Sequence, residues 1–225
     1  TTNTSSYPHD EVKITDYGAA SDCSASINTA FANALAALPT DQGGEKSGII
    51  SFPAGCFAVD VSSGTAPLLI SRAAGYGDVM LSGAGAGNEF AVVGAGTEIK
   101  VTSSAPATDT AIVEFRNALG GGIRNIQFNA NGVAKTRIIK IRESRFGRID
   151  NVQGRRWTSG PGLEFASESG ATSGSCHWTI TALKLGDVKD GDDASGVLFD
   201  GQAHNYSACS NIISGATIIY SKSGS

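Results

Sequence analysis

The sequence predicts an all-β fold, a solenoid of stacked parallel coils with one capping α-helix at its N-terminal end. Three observations carry that expectation: a composition rich in glycine and poor in charge, one amphipathic helix pattern set between strand patterns, and short apolar motifs recurring at coil-like intervals. Of 225 residues, 29 are Gly and only 17% are charged, which suits closely stacked strands joined by turns. One domain is the default at this length, with enough chain for a substantial core. The net charge of −4 offers no global case for nucleic acid. No apolar run approaches membrane-spanning length, and no signal-peptide pattern is visible.

Residues 1–11 are rich in Thr, Ser and Asn and read as a flexible N-terminal segment; residues 12–225 read as a single domain. Within it, 12–60 forms the cap and first coil. Alternating strand residues from Val12 end at Asp16-Tyr17-Gly18, where the glycine permits a sharp turn. Ile27, Phe31, Ala34, Leu35 and Leu38 then share one helical face, with Ser24 or Ser26 as N-cap and Pro39 as stop. A strand from Gly48 follows, broken at Pro53-Ala54-Gly55 and resumed at Phe57, Val59 and Val61. A one-sided apolar helix between strands needs something to cover. The open cross-section of a β-coil, with its unpaired strand edges, provides it.

Residues 110–220 read as about four regular coils. Val113/Phe115, Ile139/Ile141, Leu163/Phe165 and Val197/Phe199 repeat at offsets of 26, 24 and 34 residues. A second track pairs Ile123-Arg124-Asn125-Ile126 with Ile149-Asp150-Asn151-Val152, and Cys176 with Cys209. Unequal offsets fit coils that share strands but differ in loop length. A β-sandwich is the alternative, but its strands recur at about 8–12 residues with frequent hairpin signals. Asn125 and Asn151 take equivalent coil corners, where Asn tolerates left-handed backbone and bonds between turns.

The motifs D-[FY]-G-A (Asp16 to Ala19), the Ile27-to-Leu35 helix and the Ile50-to-Val59 strand with its Pro-x-Gly resemble the N-terminal cap of the pectate-lyase-like right-handed β-helix superfamily. The resemblance is specific over about a quarter of the chain. It departs from the pattern at Asp22-Cys23-Ser24-Ala25-Ser26, where the family usually carries Gly and paired acids. It implies a single-stranded right-handed parallel β-helix. The group includes phage tailspikes, glycoside hydrolases, polysaccharide lyases and uronan epimerases. The resemblance therefore implies a polysaccharide as substrate class and an extracellular, secreted or virion-associated setting, and it brings no catalytic residue with it.

Four cysteines allow two disulfides. Cys176 and Cys209 are equivalent in neighbouring coils, within bonding reach at a strand spacing of about 4.8 Å, and Cys23 and Cys56 share the cap. Four unbonded residues in an internal ladder are the alternative.

Alternation along each strand places Glu114, Lys140 and Glu164 in one outward column and Arg116, Arg142, Ala166 and Asp200 in the next. Glycoside hydrolysis needs two carboxyls, and Glu114 and Glu164, two coils apart, fall roughly 9.5 Å from each other, near the upper limit for inversion. Lys140 between them favours the charged form of both, which suits a base and hinders an acid. The alternative is a surface Glu-Lys-Glu ladder.

Eight basic residues lie between Lys135 and Arg156, opposed by Glu143 and Asp150, so this coil is near +6 and the rest of the chain near −10. Such a coil suits an anionic glycan, with Lys140 and Arg142 as catalytic candidates for a lyase and Arg116 and Arg145 as binding residues. Alternatively it packs against an acidic coil such as 187–193 or against another subunit. Asp190-Gly191-Asp192-Asp193 with Asp200 and His204 only partly matches the polygalacturonase-like pattern; a solvated acidic turn or a calcium site fits it better. His177 and Trp178 are carbohydrate-contact candidates, the indole by stacking on a sugar, although a core-edge Trp beside an ordinary His is the more common arrangement.

The function expected is cleavage of a polysaccharide by hydrolysis or β-elimination. The alternative is a non-catalytic glycan-binding or structural module of a tailspike or adhesin. No cofactor is expected apart from calcium on that acidic turn. No amphipathic element precedes Ser225, so the expected partners beyond a polysaccharide are a further domain of a longer protein, or the other copies of a homotrimer, covering that end.

Overall fold

The computed structural model describes residues 10–86, 96–166, 174–186, 196–199, 211–215 and 217–218. The chain starts with β1 (Glu11–Lys13), turns through a short 3-10 helix (Ile14–Tyr17) and reaches β2 (Asp22–Ser26), α1 (Asn28–Ala37), β3 (Lys46–Phe52) and β4 (Gly55–Val59). Next come β5 (Leu68–Ser71), β6 (Tyr76–Gly83) and β7 (Thr97–Val101). The more regular part follows: β8 (Thr110–Arg116), β9 (Gly122–Asn129), β10 (Thr136–Arg142), β11 (Arg148–Arg155), β12 (Leu163–Ala166) and β13 (Thr179–Gly186). Short strands β14 (Val197–Phe199), β15 (Ile212–Ser214) and β16 (Thr217–Ile218) complete the order.

The strands form two hydrogen-bonded sheets, and the pairings between them are parallel. One sheet runs β14-β12-β10-β8-β5; the other runs β1-β3-β6-β9-β11-β13-β15, with β2, β4 and β7 joined through β9. The chain alternates between the sheets, β8 to β9 to β10 to β11, so each passage lays one coil on the last. Register agrees with the sequence repeats. Val113, Ile139, Leu163 and Val197 align, as do Phe115, Ile141, Phe165 and Phe199.

β9 serves two faces. Its first residues pair with β6 and its last with β7, and the bend falls at Asn125. Asn125 and Asn151 sit in left-handed backbone at φ 58° and 50°, and the Asn151 amide donates to Asn125 Oδ1 at 2.8 Å. The corner ladder expected from the sequence is present. Inside, Phe115, Phe128, Phe165, Trp157 and Trp178 are fully buried among Ile, Leu and Val. Each large side chain contributes about 2–3 kcal/mol by burial.

The N-terminal region follows its pattern closely. Gly18 adopts φ 90° after the 3-10 turn, and α1 buries Ala30, Phe31, Ala34 and Leu35, flanked by buried Ile27 and Leu38. The cap differs in detail. Ile27 holds the N-cap position without a side-chain bond, while Ser26 Oγ accepts the Asn28 amide at 3.3 Å one residue in. Asn28 is itself tied to the exit of β4: its Nδ2 donates to the Asp60 carbonyl at 2.7 Å and its Oδ1 accepts the Asp60 amide at 3.1 Å. Cys23 and Cys56 form a disulfide between β2 and β4. The Cys176–Cys209 pairing falls on Cys209, outside the described residues. So do residues 1–9, most of the expected N-terminal segment, although Glu11 is already in β1.

Candidate functional site: a charged belt on the shorter sheet

The outward column is built as the alternation requires. Lys140 pairs in register with Glu114 on one side and Glu164 on the other, and Arg142 with Arg116 and Ala166. The carboxyls are nevertheless shut in, with side chains only 8% and 9% exposed. Long cationic side chains from the same face lie over them. Glu114 Oε1 accepts Arg116 Nε at 2.9 Å, with Arg142 Nε at 3.3 Å. Glu164 Oε2 takes Arg137 Nη1 at 2.5 Å and Lys140 Nζ at 3.4 Å. Arg137 also donates to Asp109 Oδ2 at 3.0 Å.

Arg137, one of the eight basic residues of the coil, was placed in neither outward column because it lies across a break in alternation. Ile138 and Ile139 are both fully buried, so β10 bends there and Arg137 emerges on the carboxylate side. Gly160 makes room for it: a β-carbon at that position would meet Arg137 Cζ at 3.1 Å.

Much of the basic coil's charge is therefore met by ion pairs. Besides Arg137, Lys140 and Arg142, Arg155 pairs with Glu98 at 2.6 Å and Arg148 with Asp150 at 3.5 Å. The acids that meet it are Glu98, Asp109, Glu114, Asp150 and Glu164. The segment 187–193, named as the acidic counterpart, lies outside the described residues, as do Asp200, His204 and the proposed calcium turn. Among the described residues no cluster of three or more His, Cys, Asp or Glu side chains could hold a metal.

A second polar ladder was missed. On the bent halves of β7, β9 and β11, Glu98, Gln127 and Gln153 are in register, as are Lys100, Asn129 and Arg155. Glu98 Oε1 accepts Asn129 Nδ2 at 2.9 Å, and the Gln127 amide, turned so that its oxygen faces Arg155, accepts that guanidinium at 3.0 Å. Gln127 and Gln153 stand 26 residues apart, the same offset as the apolar repeat, which was the available signal.

Trp178 requires correction. Its indole is fully buried, packs edge-on against Phe115 and Phe165, and donates Nε1–H to the Ser144 carbonyl at 3.0 Å. No sugar can stack on it. His177, the next residue along, is exposed and lies flat against Phe146. Arg145 is half-buried and bridges through its backbone to Leu119 and Cys176.

No family model matches the chain, and no curated protein matches it by sequence. Among solved structures it is similar to ORF18 of Geobacillus virus E2, with a TM-score of 0.63 and 16% identity over 92% of this chain and 41% of that one. This likeness shows a shared fold, and the chain spans less than half of the viral protein's length. Looser likenesses join it to the A-module of the mannuronan C-5 epimerase AlgE4 of Azotobacter vinelandii (TM-score 0.44, 16% identity, 90% of this chain and 63% of that one). The catalytic unit of a GH87 α-1,3-glucanase from Streptomyces thermodiastaticus gives 0.32, 14%, 94% and 47%. At those TM-scores neither bears on the activity of this chain. Among the described residues no helix is long and apolar enough to cross a membrane.

Proposed function

We propose that the chain is part of a single-stranded right-handed parallel β-helix, capped by α1, that binds a polysaccharide without cleaving it on the described coils. One observation carries the non-catalytic half of this reading: both candidate carboxyls are buried and each is bridged by two cations. A proton donor and a base must reach the scissile bond, and the side chains of Glu114 and Glu164 are only 8% and 9% exposed beneath the cations that cover them. The belt is better explained as a structural ladder that holds coils in register. A tailspike-like or adhesin-like module, secreted or virion-borne, accommodates such a ladder. The Cys23–Cys56 disulfide supports an oxidising setting. Exposed Leu198, Ile212 and Ile213 at the far end support a cover there, from further coils or from the other copies of a homotrimer.

The test is a panel of neutral and acidic polysaccharides, read for retention on the immobilised protein, for new reducing ends and for absorbance of unsaturated uronates. Retention without either product is expected. Product formation that disappears in a folded Glu164→Gln or Glu114→Gln variant overturns the reading in favour of the enzyme.

A further inference from the structure

One corner of the coil carries side chains that the fold does not require. Backbone hydrogen bonds Gly120 N to Arg145 O and Phe146 N to Cys176 O place Gly120, Phe146 and His177 at successive levels of one column. β6 continues that column downward, because Met80 pairs with Gly122 and Asp78 therefore lies below Gly120. From bottom to top the column reads Asp78, Gly120, Phe146, His177.

The backbone turns left-handed at the upper two positions. Phe146 stands at φ 62° and His177 at φ 60°, a conformation costly for bulky side chains and free for glycine. No core contact compensates Phe146, which is 63% exposed. Its ring instead lies parallel to the His177 imidazole, at 5.1 Å between centroids and 5° between planes. His177 covers one face of the phenyl. The other looks along the column towards Gly120, which has no side chain to meet it.

Asp78 closes the space from beneath. A β-carbon on Gly120 would lie 2.9 Å from the Asp78 carboxyl carbon and 3.0 Å from Oδ2, so the carboxylate reaches up beside the glycine. Among the described residues nothing donates to that carboxylate. An aromatic face left open by His177 and a carboxylate without a protein donor share one column, at a level where Gly120 adds no side chain of its own. Together they match a ligand with a flat C–H face and a rim of hydroxyl donors.

We propose that Asp78, Gly120, Phe146 and His177 form a subsite for one uncharged pyranose ring of a polysaccharide, resting its C–H face on the exposed ring of Phe146 with its hydroxyls donating to the Asp78 carboxylate beside Gly120. The carboxylate disfavours a uronate here by like-charge repulsion, so the subsite selects neutral sugar. The choice of a glycan as occupant rests on the binding function proposed above.

The test compares wild type with Phe146→Gly and Asp78→Ala against malto-, cello-, manno- and galacto-oligosaccharides and oligouronates, by titration calorimetry, with thermal melts of each variant. Glycine relieves the left-handed backbone, so Phe146→Gly should melt no lower than wild type. It and Asp78→Ala should each weaken binding to a neutral oligosaccharide by about tenfold. A wild type that binds glycan with both variants unchanged overturns the subsite and leaves the binding function standing. A wild type that binds only oligouronates also overturns it, whereas one that binds nothing in the panel removes the binding function and the subsite together.

Discussion

The Arg137–Glu164 contact is the most informative place to perturb the belt. Both side chains are about one-tenth exposed and their charged atoms are 2.5 Å apart. At an effective dielectric of about 20, charge centres roughly 4 Å apart attract by about 4 kcal/mol before desolvation is charged against them. Glu164→Gln removes that attraction but keeps the volume and leaves Arg137 enclosed. Removing one partner of a buried pair usually costs about 3–5 kcal/mol. Here the cost falls to about 2–3 kcal/mol, because Arg137 keeps Asp109, whose side chain is 46% exposed. Urea unfolding measures it as a lowered midpoint at unchanged slope. The double variant Arg137→Met/Glu164→Leu removes both charges and should recover most of the loss. A Glu164→Gln variant within about 0.5 kcal/mol of wild type would refute the structural role of the belt.

Other perturbations probe separate layers of the structure. Replacing Cys23 and Cys56 by Ser releases a closure of 33 residues and should cost about 2–4 kcal/mol, read from urea midpoints under non-reducing conditions. Gly147→Ala puts a methyl group into the six-membered ring of Trp178; a loss of about 1–3 kcal/mol with a shifted tryptophan emission is expected. Hydrogen bonds from the Ser62 hydroxyl and amide hold the Asp60 carboxyl below its ordinary 3.8. A lowered value in the folded state means that this stability is present above about pH 4 and is lost as pH falls through the folded value. Asp60→Asn should therefore flatten the acid limb of a pH-stability profile, and an unchanged limb would exclude Asp60 as a contributor.

The coil was legible because its signals are periodic and local. Val113, Ile139 and Leu163 alternate with outward neighbours, so the offsets of 26 and 24 residues indicated both register and face. Asn125 and Asn151 were legible for a similar reason, since few residues accept left-handed backbone and Asn is one of them. The belt was only half legible. Alternation placed Glu114, Lys140 and Glu164 in a column but carried no information on burial, which depends on how long side chains fold over their neighbours. Arg137 and Asp109 were invisible to it because the bend at Ile138-Ile139 shifts the phase. Of the two readings open for Trp178 the core one holds: His177 takes left-handed backbone, which turns the following residue inward, and no periodic rule announces that turn.

Left-handed backbone recurs at several corners of the coil, and two of them meet its cost in different ways. At one, Asn125, Asn151 and Ala182 adopt positive φ, and the bond between the two Asn side chains recovers part of the cost. At the other, Gly120 meets the demand freely, yet Phe146 and His177 meet it at about 1 kcal/mol or more apiece. They gain one exposed ring stack in return, worth about 0.5–1.5 kcal/mol, which does not cover both. A corner that needs only a turn would be more stable with glycine throughout. Ala182 and Glu143 carry the same backbone cost at other corners, so what sets this one apart is the exposed ring face of Phe146 and not the strain itself. The proposed subsite therefore stands on that ring face and on Asp78, and the Phe146→Gly comparison is its direct test.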